Sequence, residues 1–397
     1  MKKWCFYRIN TAFLLLFLWG CSFAEQETKR EQLVIASWNV QNLFDGADNG
    51  FEYDEFKNSA GWNNEKYQAR LHGITAALKG ESGIRADILA LIEVENKEVI
   101  QDLAEKSFLN YRWTFFAGAP AYSAMTGQPQ AAGQSSLSDS SIGLGILSAL
   151  PLTETRVHSL HSQDGSIPRP VAEVWVDTGS GPLALLACHW KSKLGGEAKT
   201  EAMRRAAAAL IVRRLLEIEA ESPGTPVIIL GDLNENCDEF ERINGAYPCA
   251  LLPDTKKAAA LAGKTSNGSR QALQDFLVVS RQKPPRTDSF TGTTAVVFSP
   301  WLTMEEDSHE NRNESSSQVI NQAVPQGSYY YKDDWETIDH FLLNAALFSG
   351  QGWNYERFRV LAEPPFTNAE GITQAYNPRT GNGLSDHLPI VLILHKP

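Results

Sequence analysis

A chain of 397 residues, 43% apolar and 21% charged, has material for a sizeable core and lacks the polar, charge-rich bias of a disordered protein. Its formal net charge of −11 speaks against binding nucleic acid through a broad basic face, though not against a local phosphate site. The cysteines have no zinc-site spacing, which leaves them structural roles.

The N-terminus carries the marks of an export signal: Lys2, Lys3 and Arg8, then an apolar run over 12–18, too short to span a bilayer comfortably. Residues 1–24 are accordingly read as a signal peptide. Two processing routes stay open. Leu18-Trp19-Gly20-Cys21 resembles a lipoprotein box that would anchor the chain through Cys21, and Ser22-Phe23-Ala24 offers ordinary cleavage. The expected location is the outer membrane or periplasm as a lipoprotein, or the medium as a secreted protein. In an exported chain Cys237 and Cys249 are close enough in sequence to form a disulfide, whereas Cys188 sits in an apolar run as a buried thiol.

Apolar, β-branched residues predict a buried strand over 33–40. Tyr67, Leu71, Ile74 and Leu78 recur at helical spacing in 64–79, and a second buried strand follows over 87–94. Residues 118–141, rich in Ala, Ser, Gly and Gln, read as a surface loop. Apolar runs at 143–148, 171–176 and 183–188 follow closely, as in an antiparallel run. A helix is expected over 200–220, with Leu210, Ile211, Leu215 and Ile218 inward and Arg204, Arg205, Arg213 and Arg214 largely outward. Strands are read at 227–230, 328–331, 337–343 and 388–394, and an irregular insertion at 282–327. Within that insertion Val296, Val297 and Phe298 suit either an exposed apolar hairpin or a buried strand. Nothing divides the chain after the leader, so residues 31–397 are taken as one catalytic domain, expected to be a monomer.

Polar residues of catalytic type recur at the ends of these apolar runs: Asn39, Glu93, His189, Asp232 with Asn234, Asp339 with His340, and Asp386 with His387. Each alone has a structural explanation. An Asp-x-Asn after a strand commonly makes a turn or a cap, a lone His is commonly a hydrogen-bonded core residue, and Glu95 and Asn96 suit a helix cap. Lys191 and Lys193 can be solvated loop charges. An Asp-His pair in a strand points to opposite faces, which leaves His340 turned away from Asp339.

Taken in order, Trp38-Asn39-Val40, Leu91-Ile92-Glu93, His189-Trp190-Lys191-Ser192-Lys193, Gly231-Asp232-Leu233-Asn234, Ile338-Asp339-His340 and Ser385-Asp386-His387-Leu388-Pro389 resemble the endonuclease/exonuclease/phosphatase superfamily, which includes the pancreatic-type deoxyribonucleases. The Asn39-Val40-Gln41-Asn42-Leu43-Phe44 block and the His-x-Lys-Ser-Lys block look most like its bacterial extracellular nucleases. The resemblance implies an α/β fold, a four-layer sandwich of two mixed β-sheets flanked by helices. It implies Mg²⁺, with Mn²⁺ or Ca²⁺ as alternatives, held by Glu93, Asn39 and Asp386. His387 oriented by Asp339 would act as general base or stabilise the transition state, and Asp232 and Asn234 would position the nucleophile or protonate the leaving oxygen. His189 would donate to a phosphoryl oxygen, with Lys191 and Lys193 attracting the substrate. The implied activity is hydrolysis of phosphodiesters, on DNA or RNA outside the cytoplasm. The alternatives are phospholipid head groups or small phosphoesters, and a non-catalytic surface lipoprotein. Two positions depart from the family pattern: Ile92 stands where Gln is common, and Ala149 where a basic residue is common. Trp335 resembles the aromatic that precedes the Ile-Asp-His strand in relatives, at a different offset.

Overall fold

The computed structural model describes residues 30–50, 52–80, 85–106, 110–118, 142–160, 169–265, 276–284, 295–304 and 326–397. The export signal, Cys21, nearly all of the loop at 118–141 and much of 282–327 lie outside them. Residues Glu31–Pro397 form one compact unit. No helix among the described residues is long and apolar enough to cross a membrane.

Six strands build the first sheet: β1 (Gln32–Leu43), β2 (Ile88–Val94), β3 (Trp113–Ala117), β4 (Gly143–Ser148), β15 (Asn354–Val360) and β16 (Ile390–His395), in the order β15-β16-β1-β2-β4-β3. Eight build the second: β5 (Leu152–His158), β6 (Val171–Asp177), β7 (Pro182–His189), β8 (Val227–Asp232), β9 (Leu251–Pro253), β10 (Leu277–Ser280), β11 (Ala295–Phe298) and β14 (Asp339–Leu343), in the order β5-β6-β7-β8-β14-β11-β10-β9. Both sheets mix parallel and antiparallel pairs. A small hairpin of β12 (Tyr329–Tyr331) and β13 (Asp334–Glu336) belongs to neither sheet and is bridged to the chain at His387 through Tyr329.

Side-chain alternation explains the layering. In β7 and β8, Leu183, Leu185, Ala187, Ile228 and Leu230 join the core between the sheets, while Ala184, Leu186, Cys188, Val227 and Ile229 pack on the other face. That other face is covered by α3 (Glu197–Glu221) through Ala207, Ala208, Ile211, Leu215 and Ile218. On the far side α1 (Asn64–Lys79) buries Tyr67, Leu71, Ile74 and Leu78 against the first sheet, and α2 (Lys97–Lys106) adds Val99, Ile100 and Leu103. Burying each large aliphatic side chain contributes ~1.5–3 kcal/mol. Helices therefore flank two mixed sheets, the expected four-layer sandwich. Of the two residues expected to cap α2, Asn96 does so, its Oδ1 accepting from Val99 N at 2.9 Å, whereas Glu95 turns to the segment after β1 and accepts from Asp45 N at 2.7 Å.

Several expectations need correction. The apolar runs at 143–148, 171–176 and 183–188 do not form one antiparallel run: β6 and β7 pair, but β4 belongs to the other sheet, beside β2. Arg204 and Arg214 are buried, 0% and 6% exposed, because carboxylates reach them from outside the helix. Glu235 lies 2.8 Å from Arg204 Nε, and Glu173 the same distance from Arg214 Nε. Inside the segment read as an irregular insertion, β11 is a buried strand parallel to β10. Cys237 and Cys249 are buried free thiols.

Candidate functional site

Three strands of the second sheet end or begin at the same level. His189 closes β7, Asp232 closes β8 and Asp339 opens β14, and the register pairs His189 with Asp232 and Asp232 with Asp339. All three share the alternation phase of the residues packed between the sheets, so they form a row on the inner face. His340 takes the opposite phase, is fully buried, and donates Nε2–H to Glu235 O at 2.8 Å. It is a core histidine, as its position in the strand implies. Gly231 has φ +120°, and a Cβ there would lie 2.1 Å from Cys188 O, so only glycine lets β7 and β8 deliver the row.

The first sheet supplies the opposing groups. Asn39 Nδ2 donates to Glu93 Oε1 at 3.2 Å and to Asp232 Oδ2 at 3.0 Å, while its Oδ1 accepts from Gln41 N at 3.0 Å. That last contact turns the amide nitrogen, not the oxygen, toward the carboxylates. Glu93 occupies the irregularity between Ile92 and Val94 where β2 slips against β4, and its Oε2 accepts from Asn42 N at 2.9 Å. A bulge re-aims the side chain it carries. Gln41, Asn42, Glu93 and Asn234 all have φ between 50° and 68°. This concentration of left-handed, non-glycine backbone marks a place where geometry is held against local preference. Asp386 is tied in by its N–H, which donates to Gln41 Oε1 at 3.2 Å.

His387 Nδ1 donates to Asp339 Oδ2 at 2.7 Å, and Ser328 Oγ donates to the same oxygen at 2.6 Å. Ser385 Oγ accepts from His387 N at 3.0 Å and donates to Asn39 O at 2.7 Å. The imidazole is thus fixed from both ends with Nε2 toward the carboxylates, 4.0 Å from Asp232 Oδ2 and 4.0 Å from Asp386 Oδ1. Burial disfavours its charged form, but Asp339, Asp386 and Asp232 outweigh burial and hold its pKa well above the ordinary value. Burial pushes Asp232 up to about 7 despite the opposing pull of His387, with Asp339 and Glu93 adding to the rise. Burial likewise raises Glu93, against the attraction of Arg169.

Arg169 is the residue that sequence reasoning missed. Its Nη1 donates to His189 Nε2 at 2.9 Å and to Trp190 O at 3.0 Å. His189 is therefore neutral and an acceptor at Nε2; burial first, then Arg169, His387 and Lys191, hold its pKa well below the ordinary value. The guanidinium, not the imidazole, is the donor presented here, which differs from the expected donation by His189. The sequence signal was slight: a cation between two prolines, Pro168-Arg169-Pro170, just before β6. Asn234 N donates to Asp232 Oδ1 at 2.9 Å and its side chain to Trp190 O at 3.2 Å, locking the turn after β8. Lys193 is not a free attractant: its ammonium lies 2.7 Å from Glu239 and 3.6 Å from Glu336 and Glu197. Lys191 is half-buried next to His189 and acts on its charge.

The donor set suits a hard divalent cation. Oxygen atoms of Glu93 and Asp232 lie within 4.8 Å of each other and of His189 Nε2, as do ligand atoms of Asp232, Asp339 and His387. Asp339 Oδ1 is buried without a hydrogen-bond partner among the described residues. Carboxylates raised by burial lack sufficient positive charge around them, and Mg²⁺ takes oxygen ligands, here the carboxylates rather than His189 Nε2, which already accepts from Arg169.

No curated protein matches the chain in sequence. Solved structures of similar shape include TDP2 from Caenorhabditis elegans, 13% identical, covering 92% of this chain and 74% of that one with a TM-score of 0.46. Others are D. rerio TDP2 complexed with single-strand DNA product, 14% identical, covering 92% and 100% at 0.44, and beta toxin from Staphylococcus aureus, 13% identical, covering 92% and 100% at 0.46. The model of the Endonuclease/Exonuclease/phosphatase family matches residues 36–387, from the strand that carries Asn39 to His387 itself, and the chain belongs to that family.

Proposed function

We propose that this member of a family of divalent-metal-dependent phosphoester hydrolases is an exported, Mg²⁺-dependent nuclease that hydrolyses phosphodiester bonds in DNA or RNA. The observation that carries the reading is the buried His387–Asp339 pair, its free nitrogen aimed at the carboxylates of Asp232 and Asp386. Glu93 and Asp386 would hold the metal, and Asn39 would orient Glu93 and Asp232 by donating to both. A divalent ion held by these residues would supply positive charge for a phosphoryl oxygen and would offset the carboxylate field that keeps His387 protonated. His387 takes the proton of the attacking water, or as imidazolium donates to a phosphoryl oxygen, while Asp339 fixes its tautomer. Asp232, with a pKa near neutrality, protonates the leaving oxygen, and Asn234 holds its carboxylate in place. Arg169, held beside His189 and Glu93, clamps a phosphoryl oxygen, where a fixed guanidinium suits two-point recognition.

Cleavage of phospholipid head groups is the second reading, favoured by exposed Leu194 at 84% on the loop after His189. Against it, the apolar run of β11, a candidate membrane hairpin by sequence, is a buried sheet strand. Plasmid DNA, RNA, sphingomyelin vesicles and bis-p-nitrophenyl phosphate, assayed with Mg²⁺, with EDTA, and beside His387→Ala, test the proposal. Nucleic acid cleavage lost in EDTA and in the variant is expected. Cleavage that survives both sinks the mechanism, and selective lipid cleavage overturns the substrate.

A further inference from the structure

Hairpin β12–β13 carries aromatic rings on both faces. Tyr330 packs on its cross-strand partner Trp335, ring centroids 5.1 Å apart. Tyr329 and Tyr331 take the other face by alternation. The Tyr329 ring lies 4.6 Å from the His387 imidazole at an interplanar angle of 33°, and Tyr331 stacks on Tyr329 at 6.0 Å and 19°. A run of near-parallel rings thus starts on the imidazole and ends in solvent, where Tyr331 is 48% exposed. Among the described residues the other large hydrophobic side chains with comparable exposure are Val157 and Leu194.

The platform is fixed. Ser328 N donates to Glu336 O at 3.0 Å, and Leu388 N, next to His387, donates to Ser328 O at 2.7 Å. Arg242 donates to Asp334 at 3.1 Å and to Trp335 O at 3.3 Å. Lys332 and Asp333 have φ of 51° and 64°, the turn that matches strand twist. A rigid exposed ring loses little conformational freedom on docking. Its tip, Lys332-Asp333-Asp334, is charged, which opposes insertion into a bilayer. Lys332 Nζ lies 5.0 Å from the Tyr331 ring centroid, a cation at the outer end of the stack.

We infer that Tyr331, backed by Tyr329, is a stacking subsite for a nucleobase flanking the scissile phosphate. The inference rests on the nuclease reading above. Every base has a π-face, so this subsite separates a base from an empty sugar more than it separates bases from one another. Lys332 meets a neighbouring phosphate.

The test uses single-stranded oligonucleotides with one cleavable phosphodiester, all other linkages being methylphosphonate, flanked either by bases or by abasic tetrahydrofuran residues. The quantity read is the ratio of kcat/KM for the two, within one enzyme preparation, so that the active fraction cancels. Wild type prefers the base-bearing substrate. Tyr331→Ala lowers that ratio about tenfold, through KM, and Tyr331→Phe keeps it, given stacking worth ~1–3 kcal/mol per base. An unchanged ratio in Tyr331→Ala overturns the subsite while the nuclease stands. A wild type that cuts neither oligonucleotide overturns the nuclease reading itself. A substitution that leaves the ratio alone and slows cleavage of sphingomyelin vesicles assigns the hairpin to a lipid surface and equally overturns the subsite.

Discussion

Asp339→Asn isolates the charge behind His387. The carboxylate is buried, 1% exposed, and its Oδ2 accepts from both His387 Nδ1 and Ser328 Oγ. An amide oxygen can accept the same two bonds, so the imidazole keeps its place and loses only the charge. Opposite charges about 4 Å apart are worth ~4 kcal/mol at an effective dielectric of ~20. Retaining a neutral hydrogen bond of ~1 kcal/mol leaves a loss of ~3 kcal/mol, which at ~1.4 kcal/mol per decade is a roughly 10²-fold fall in kcat/KM. The pH profile moves as well. Asp339 is the largest influence raising the pKa of His387, so the limb belonging to the imidazole shifts to lower pH, partly, because Asp386 and Asp232 remain. Initial rates on a defined oligonucleotide between pH 5 and 9, at saturating Mg²⁺, read both effects. Activity within about threefold of wild type, with an unmoved limb, would refute the pairing as a functional unit.

Arg169→Ala should lower kcat/KM by roughly 10- to 10²-fold, the worth of charge-assisted hydrogen bonds, and Arg169→Lys should recover little, because one ammonium nitrogen taking the place of Nη1 at His189 and Trp190 O leaves no further guanidinium nitrogen for the phosphate. Full recovery by lysine in steady-state assays would show that only charge matters. Glu93→Gln should raise the Mg²⁺ midpoint of activity about tenfold or more. In EDTA it should melt no lower than wild type by calorimetry, since it removes one of several mutually repelling carboxylates. Mg²⁺ at ~100 times its Kd should then stabilise wild type by ~2.7 kcal/mol and the variant by less; equal stabilisation would place the metal elsewhere. Glu173 is buried, yet bonds from His158, Arg214 and Trp175 outweigh burial and pull its pKa down to about 2. A lowered carboxylate stabilises the fold above its unfolded pKa, near 4.5, and that contribution is lost as pH falls toward 2. Glu173→Gln should therefore lack this part of the acid-induced loss in denaturant titrations, and should be ~1–3 kcal/mol less stable at pH 7, because Arg214 loses its buried partner and keeps only Glu217 and Glu221 at the helix surface.

The residues that build the site were legible because each sits where an apolar strand stops, and a polar residue there must face either water or a partner. Strand phase separates Asp339 from His340 without any structure. What was not legible depends on partners distant in sequence. Nothing in Gly143–Ser148 says that it joins β2 rather than β6. Strands β5 and β15 escaped notice because edge strands, wet on one side, carry polar residues such as Thr153, Glu154 and Arg156, or Glu356 and Arg357. Helical spacing put Arg204 and Arg214 outside, and only the carboxylates of Glu201, Glu235 and Glu173 make their burial affordable. Lys193 looked free for substrate for the same reason: Glu239 and Glu336 come from elsewhere in the chain. Arg169 has no period and no neighbouring motif, and its role exists only because β6 starts beside the end of β7.

The overall acidity and the proposed anionic substrate are reconciled by where the charges stand. Glu93, Asp232, Asp339 and Asp386 share one inner rim, with Arg169 beside Glu93 and Lys191 beside His189. With more carboxylates than fixed cations, the rim by itself repels a phosphate, and a divalent ion reverses that sign locally without altering the field of the rest of the surface. Metal dependence is then a condition for binding as well as for bond breaking. Contacts beyond the phosphate then fall to groups outside the carboxylate rim, and the uncharged rings of Tyr329 and Tyr331, rising from His387 toward solvent with Lys332 at their outer end, stand in such a place.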